Sequence, residues 1–196
     1  MAKLAGLDFS EKIIPADDQD MKAEMLLLSS SMLAPSLLHD GIKVWDTLAI
    51  GEYLNEVKPK AQLLPVDAKA RAHCRAIYGE MHSGFASLRG SLPMTKKAHF
   101  APFKVWSRAQ ADIDRVKEIW IECLSTYKGP YLFGKLTTLA NAIYAPVVKR
   151  FLSYDIALDK ACAAYAKRIM ELPAMQEWVA AAKTEPDEID ELDAEF

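Results

Sequence analysis

The chain has 196 residues, 51% of them hydrophobic and 26% charged, with a formal net charge of -3. This is an ordinary globular composition for one domain or two small ones, and it excludes a chain that is disordered along its length. A pI near 5.8, with no basic stripe interleaved with aromatics, argues against nucleic acid as a partner.

The longest apolar runs, such as Met25 to Leu28, break within a few residues, and the start lacks the charged-then-apolar plan of a secretory signal. A soluble protein with no membrane segment is expected. Asp8 to Ile14 alternate as a strand does, Pro15 ends them, and Asp17 to Leu28 carry helical spacing with acids at the front. Two short apolar runs, Ser36 to Leu38 and Ile42 to Trp45, flank His39-Asp40-Gly41, which has the chemistry of a tight hairpin turn. Asp46 and Thr47 then stand where strand spacing gives way to the helical spacing of Leu48, Ile50, Tyr53 and Leu54. The first sixty or so residues thus read β-α-β-β-α.

After Lys58-Pro59 and Leu64-Pro65 every long segment has a 3.6-residue period and no strand follows, which puts a domain boundary near residues 57 to 66. One predicted helix carries Cys74, Tyr78, Met81, Phe85 and Leu88 on a single face, and the next carries Trp106, Ile113, Val116, Trp120, Cys123 and Tyr127. Gly129-Pro130 closes the second, and Thr138 with Asn141 resembles a capping box that opens a third, which Pro146 should kink. Leu158 to Glu171 predict a fourth helix, and Pro173 begins a fifth. Residues 185–196 are acidic with no basic residue, a solvated and flexible tail. Three cysteines, Cys74, Cys123 and Cys162, lie far apart without a C-x-x-C pair or nearby paired histidines, so buried free thiols in a reducing cytoplasm are expected and no metal.

The most informative stretch is KVWDTLAIGEYLNE, Lys43 to Glu56. An acid and a hydroxyl at a helix start either cap the helix or help its unpaired N–H groups hold an anion. Together with an Ala-Pro before the hairpin, VWDTLAIGEYLNE, RAHCRAIYGEMHSGFASLR and YAPVVKRF, the chain resembles the glutathione S-transferase family over nearly its whole length. Within that family it is most similar to bacterial members near the zeta, or maleylacetoacetate isomerase, branch.

The resemblance implies a glutathione transferase-like fold: an α+β thioredoxin-like glutathione-binding domain over residues 1–60 and an all-helical domain over residues 66–184. It implies that Asp46 takes the ammonium of the γ-glutamyl end of glutathione, while the Thr47 hydroxyl and N–H take its carboxylate. Pro35 matches the family's cis-proline, and the backbone of Ala34 would pair with the cysteinyl main chain. Tyr78, Met81, His82 and Phe85 lie on the helix that borders the second-substrate pocket in relatives, although packing in the bundle is the commoner use of such residues.

The resemblance also implies a difference. In relatives a first strand and most of a first helix precede the segment matching Met1 to Phe9, and the Ser, Cys or Tyr that favours the glutathione thiolate sits at their junction. The thioredoxin-like part is therefore expected to be truncated at its start, with the catalytic residue unidentified. Ser29, Ser30 and Ser31 read as an ordinary loop, Arg71, Arg75 and Arg89 as surface or interface residues, and His99 as a loop residue. Two functions follow: a cytoplasmic, homodimeric enzyme that conjugates or isomerises small hydrophobic electrophiles with glutathione and needs no metal, or a non-catalytic module of the same fold that binds a ligand or partner.

Overall fold

Asp40 at φ 50 and Gly41 at φ 79 form a two-residue turn in the left-handed region that the tightest hairpins require. They join β1 (Ser36–His39) to β2 (Ile42–Trp45) as an antiparallel pair, with Ser36 opposite Trp45 and His39 opposite Ile42. The computed structural model describes residues 1–14, 25, 34–95, 100 and 105–184. The predicted helix from Asp17 to Leu28, Met25 apart, lies outside the described residues, as do the three serines, His99 and the acidic tail. Among the described residues the sheet has only these two strands.

Among the described residues seven α-helices follow: α1 (Thr47–Val57), α2 (Ala68–Ser83), α3 (Ala86–Ser91), α4 (Ser107–Tyr127), α5 (Leu139–Ser153), α6 (Lys160–Met170) and α7 (Pro173–Thr184). Several starts are set locally. Asp67 caps α2 through Ala70 N at 2.8 Å, and Asp159 caps α6 through Ala161 N and Cys162 N. Thr138 and Asn141 do form the capping box, with Thr138 N donating to Asn141 Oδ1 at 2.8 Å. The helix runs on through Pro146.

α2 packs on α5, α3 on α4, and α6 on both α4 and α5. Trp120 is fully buried at the centre of the bundle, its ring 5.0 Å from Tyr165, 5.4 Å from Phe151 and 6.1 Å from Tyr144. Such aromatic pairs add about 0.5–1.5 kcal/mol each beyond the area they bury. The three cysteines are free and buried. Burial pushes the thiols up, to about 11 for Cys74 and about 12 for Cys123 and Cys162.

α1 joins the hairpin to the bundle. Its Leu54 is buried, and Gly51 lets α1 approach the bundle closely. A Cβ at Gly51 would stand 2.8 Å from Tyr78 Oη and 3.1 Å from Leu139 Cδ1. Beyond α1 the chain crosses a short 3-10 turn, Pro59–Ala61, and Leu63 O accepts from Leu139 N at 2.8 Å at the foot of α5.

Three expectations need correction. Asp8 to Ile14 form no strand: neither hairpin strand pairs with them, and Phe9 and Ile13 are 42% and 75% exposed. Alternation alone does not make a strand without a partner edge. The predicted face from Cys74 to Leu88 is not one helix, because α2 ends at Ser83 and Phe85 turns left-handed at φ 58. Gly84 permits the break, Arg89 Nη2 donates to Gly84 O at 2.6 Å, and Leu88 N finds Asp112 Oδ2 on α4 at 2.9 Å. Lastly, Trp106 sits outside the buried face of α4, at its N-cap and 73% exposed.

Gly51→Ala is expected to lower stability by about 1–3 kcal/mol through overpacking, even though alanine favours a helix by up to about 1 kcal/mol. An unchanged urea midpoint would contradict the close approach of α1 to Tyr78. The buried cysteines should all resist a thiol reagent at neutral pH until the protein is denatured. Rapid labelling of any one of them in the native state would contradict its packing.

Candidate functional site

At the end of β2 the backbone turns sharply at Asp46, which adopts φ 73 and ψ 132. Positive φ in a residue with a Cβ costs about 1–3 kcal/mol and clusters at ligand clamps. The turn aims the carboxylate at the start of α1. Oδ1 accepts from Leu48 N at 2.8 Å and from Ala49 N at 3.3 Å, while the Asp46 carbonyl accepts from Ile50 N at 2.9 Å. Thr47 N is then the first-turn donor of α1 that has no partner among the described residues. Thr47 itself is half-buried.

The other carboxylate oxygen faces the bundle. Asp46 Oδ2 lies 3.0 Å from Nε2 of His82 in the last turn of α2, both side chains being about one-third exposed (38% and 34%). A second link lies beneath: the Tyr78 hydroxyl donates to the Thr47 carbonyl at 2.7 Å. Burial first, then the Asp46 and Glu52 carboxylates, push the Tyr78 phenol up. It is therefore a hydrogen-bond donor at neutral pH. Further along α1, Glu52 takes a two-pronged bond from Arg75 at 2.8 and 2.9 Å, and Tyr53 Oη shares a 2.8 Å hydrogen bond with Nδ1 of His39 in the hairpin. The helix start is thus held from the sheet side and from the bundle side.

Above this corner lies an open groove of about 410 Å³ lined by Lys43, Val44, Trp45, Asp46, Leu48, Ala49 and His82. Its walls are apolar and its rim carries two basic side chains and one acid. Among the described residues no thiol or phenol lines it. The cis Ala34–Pro35 bond precedes β1, and both residues are exposed.

Asp46, Thr47 and His82 therefore come together at one corner. Tyr78, Met81 and Phe85 do not line the groove and belong to the core, at 1%, 5% and 8% exposure. Sequence reasoning did not select Lys43 and Trp45, which were read only as hairpin residues, although their spacing of two on a short strand puts them on one face. Chemically the corner can hold a zwitterion: Oδ2 of Asp46 suits an ammonium, and the Thr47 N–H, without a partner among the described residues at a positive helix end, suits a neighbouring carboxylate. Among the described residues no group of three His, Cys, Asp or Glu side chains could hold a metal ion, and no helix is long and apolar enough to cross a membrane.

No family profile matches the chain. It is 29% identical over 161 residues to the maleylacetoacetate isomerase of Rattus norvegicus, covering 80% of this chain and 72% of that protein. It is 28% identical over 147 residues to the probable maleylacetoacetate isomerase of Caenorhabditis elegans, covering 74% of this chain and 68% of that protein. Among solved structures it resembles glutathione S-transferase 1-6 from Anopheles dirus species B, with a TM-score of 0.71, 18% identity and coverage of 93% of this chain and 88% of that one. A glutathione transferase homolog from Burkholderia gl BGR1, with bound glutathione, gives a TM-score of 0.68 at 22% identity, covering 93% of this chain and 86% of that one. The chain has the glutathione transferase fold, with a small thioredoxin-like part followed by a mostly helical region.

The double use of the Asp46 carboxylate sets an order of stabilities. Asp46→Asn keeps an Oδ1 acceptor for the helix start and should stay within about 0.5 kcal/mol of the parent, whereas Asp46→Ala should lose about 1 kcal/mol with the cap. Equal denaturation midpoints for the two variants would contradict the capping role.

Proposed function

We propose that this chain is a member of the glutathione transferase family, beside its maleylacetoacetate isomerase branch, and that it binds glutathione at the corner where α1 begins. The observation that carries this reading is the side-by-side presentation of a carboxylate oxygen, Asp46 Oδ2, and an unpartnered helix N–H, Thr47 N. These two groups match the ammonium and carboxylate of a γ-glutamyl end. The likeness to maleylacetoacetate isomerases and the shared fold support it.

In this reading Asp46 binds the γ-glutamyl ammonium, and the Thr47 hydroxyl and N–H bind the γ-glutamyl carboxylate. The main chain of Ala34, ahead of the cis Pro35, pairs with the cysteinyl segment. Residues 1–60 act as the glutathione-binding domain and residues 66–184 as the helical domain that offers the second substrate a surface. Of the four residues proposed for that pocket, His82 faces the groove, while Tyr78, Met81 and Phe85 form the packed layer behind it. Val44, Trp45 and Leu48 supply apolar wall for a small hydrophobic electrophile.

The activity is attack of the glutathione thiolate on an electrophile, forming a carbon–sulfur bond as the leaving group departs, or reversible addition to a cis double bond, with rotation and elimination of the thiolate giving the isomer. The residues at the corner contribute by orientation, holding one reactant so that the encounter becomes effectively unimolecular. The protein works as a cytoplasmic homodimer without a metal. A second reading is a module of this fold that binds without turnover; among the described residues the groove lining offers no thiol or phenol to activate a sulfur.

Isothermal titration of glutathione tests the first reading. The parent chain should bind, and Asp46→Ala should bind at least about tenfold more weakly, the value of a lost charge-assisted hydrogen bond, with helical content nearly unchanged. Equal affinity in the two proteins would sink the assignment. Binding without consumption of glutathione thiol in the presence of an aryl halide would favour the module.

A further inference from the structure

Among the described residues Asp46 is the only acid lining the groove, and its carboxylate already faces a partner. Oδ1 is occupied by the amides of Leu48 and Ala49, so the oxygen left for a ligand is Oδ2, and that oxygen lies 3.0 Å from Nε2 of His82. We propose that His82 is a specificity residue that leaves the Asp46 anion open to a ligand ammonium when neutral and competes with that ammonium when protonated. The proposal rests on the reading of Asp46 as the ammonium ligand and goes beyond it, because it names what regulates that capture.

A neutral imidazole at this distance leaves the full negative charge of Asp46 in the groove. An imidazolium at the same distance cancels that charge and meets an arriving ammonium as a like charge. Histidine is the side chain that changes charge between about pH 5 and pH 8. Ligand binding at Oδ2 and proton binding at His82 therefore oppose each other. By linkage, a ligand that needs Asp46 as an anion binds more tightly as pH rises through this range and expels protons as it binds. A ligand lacking the ammonium would not show this.

Other charged groups surround the corner, including the Met1 amine, which burial pushes below its ordinary value and whose residue touches the Tyr78 hydroxyl, and substitution of His82 separates its contribution from theirs. Across the groove stand Asp46 and Lys43, the latter on β2. From α3, Arg89 donates to the His82 and Gly84 carbonyls at 3.5 and 2.6 Å and stays charged. On α2, the helix of His82 itself, Glu80 is held by Arg115 of α4 at 2.8 and 3.1 Å, and Tyr78 is bound to the Thr47 carbonyl.

The test uses S-methylglutathione, which keeps the γ-glutamyl ammonium and has no thiol to ionise. It is titrated into the full chain and into His82→Gln at about pH 5.5 and about pH 7.5, either side of ordinary histidine titration, in two buffers that differ in ionisation enthalpy. The parent should bind about threefold to fivefold more tightly at the higher pH, the size of a partly exposed ion pair, and release a fraction of a proton. His82→Gln should bind with one affinity at both values and release none. Asp46→Asn, which keeps an acceptor for the helix start, should bind weakly and equally at both. A parent without pH dependence, or His82→Gln with the parent's slope, would overturn the role of His82 while leaving glutathione binding in place. Failure of every protein to bind at either pH would remove the ammonium reading of Asp46, and the role of His82 with it.

Discussion

The contact of α1 with α2 governs the rest of this structure. α1 carries the helix start that can recognise a ligand, yet on its sheet side it is backed by only two strands among the described residues. Its position comes from the other side, where Gly51 leaves no side chain between the helix and Tyr78, and Tyr78 reaches across to the Thr47 carbonyl. Arg75 and Glu52 repeat the link farther along the same pair of helices. A helix of eleven residues is marginal by itself in water. Here the bundle both stabilises it and fixes where its first turn points.

This arrangement explains why chemistry concentrates at one end of α1. The first turn of any helix leaves donors unpaired, and a single aspartate cannot satisfy them all. Asp46 satisfies the second and third with Oδ1 and the fourth with its carbonyl, leaving Thr47 N over. With Oδ2 engaged by His82 from another helix, the corner combines groups from both parts of the fold. A ligand seated there would touch the sheet, the helix start and the bundle together, and would bridge parts of the chain that are otherwise joined through α1.

Much of the fold was legible because local signals carried it. Asp40-Gly41 announced the hairpin turn, Thr138 and Asn141 the capping box, and the spacing from Ile113 to Cys123 the buried face of α4. The strand assigned to Asp8–Ile14 failed because pairing is not a local property. The helix drawn through Phe85 failed because its periodicity persists across the break: after Gly84 the chain re-enters a short helix with Leu88 still facing inward, and Asp112, far along the sequence, caps it. At the site, Asp46 and Thr47 stood out as an acid and a hydroxyl at a change of period. The partnership of Asp46 with His82 did not, since nothing local to either residue signals the other. Tyr78 and Met81 illustrate the reverse ambiguity, because a residue on a pocket-bordering helix can face either the pocket or the core, and the face depends on packing around the whole circumference.

The backbone at Asp46 bears on how this site can change over evolutionary time. Glycine would accept φ 73 without the strain that a Cβ brings, and as a helix cap it is only a few tenths of a kcal/mol poorer than aspartate. Asparagine would keep the cap and tolerates positive φ better than most residues. Neither change would disturb Gly51, Tyr78 or the bundle beneath. Drift under selection for folding alone would therefore lead easily to an uncharged corner on an intact scaffold. The negative charge is separable from the fold that carries it, and a lineage could lose or regain recognition at this helix start through one residue.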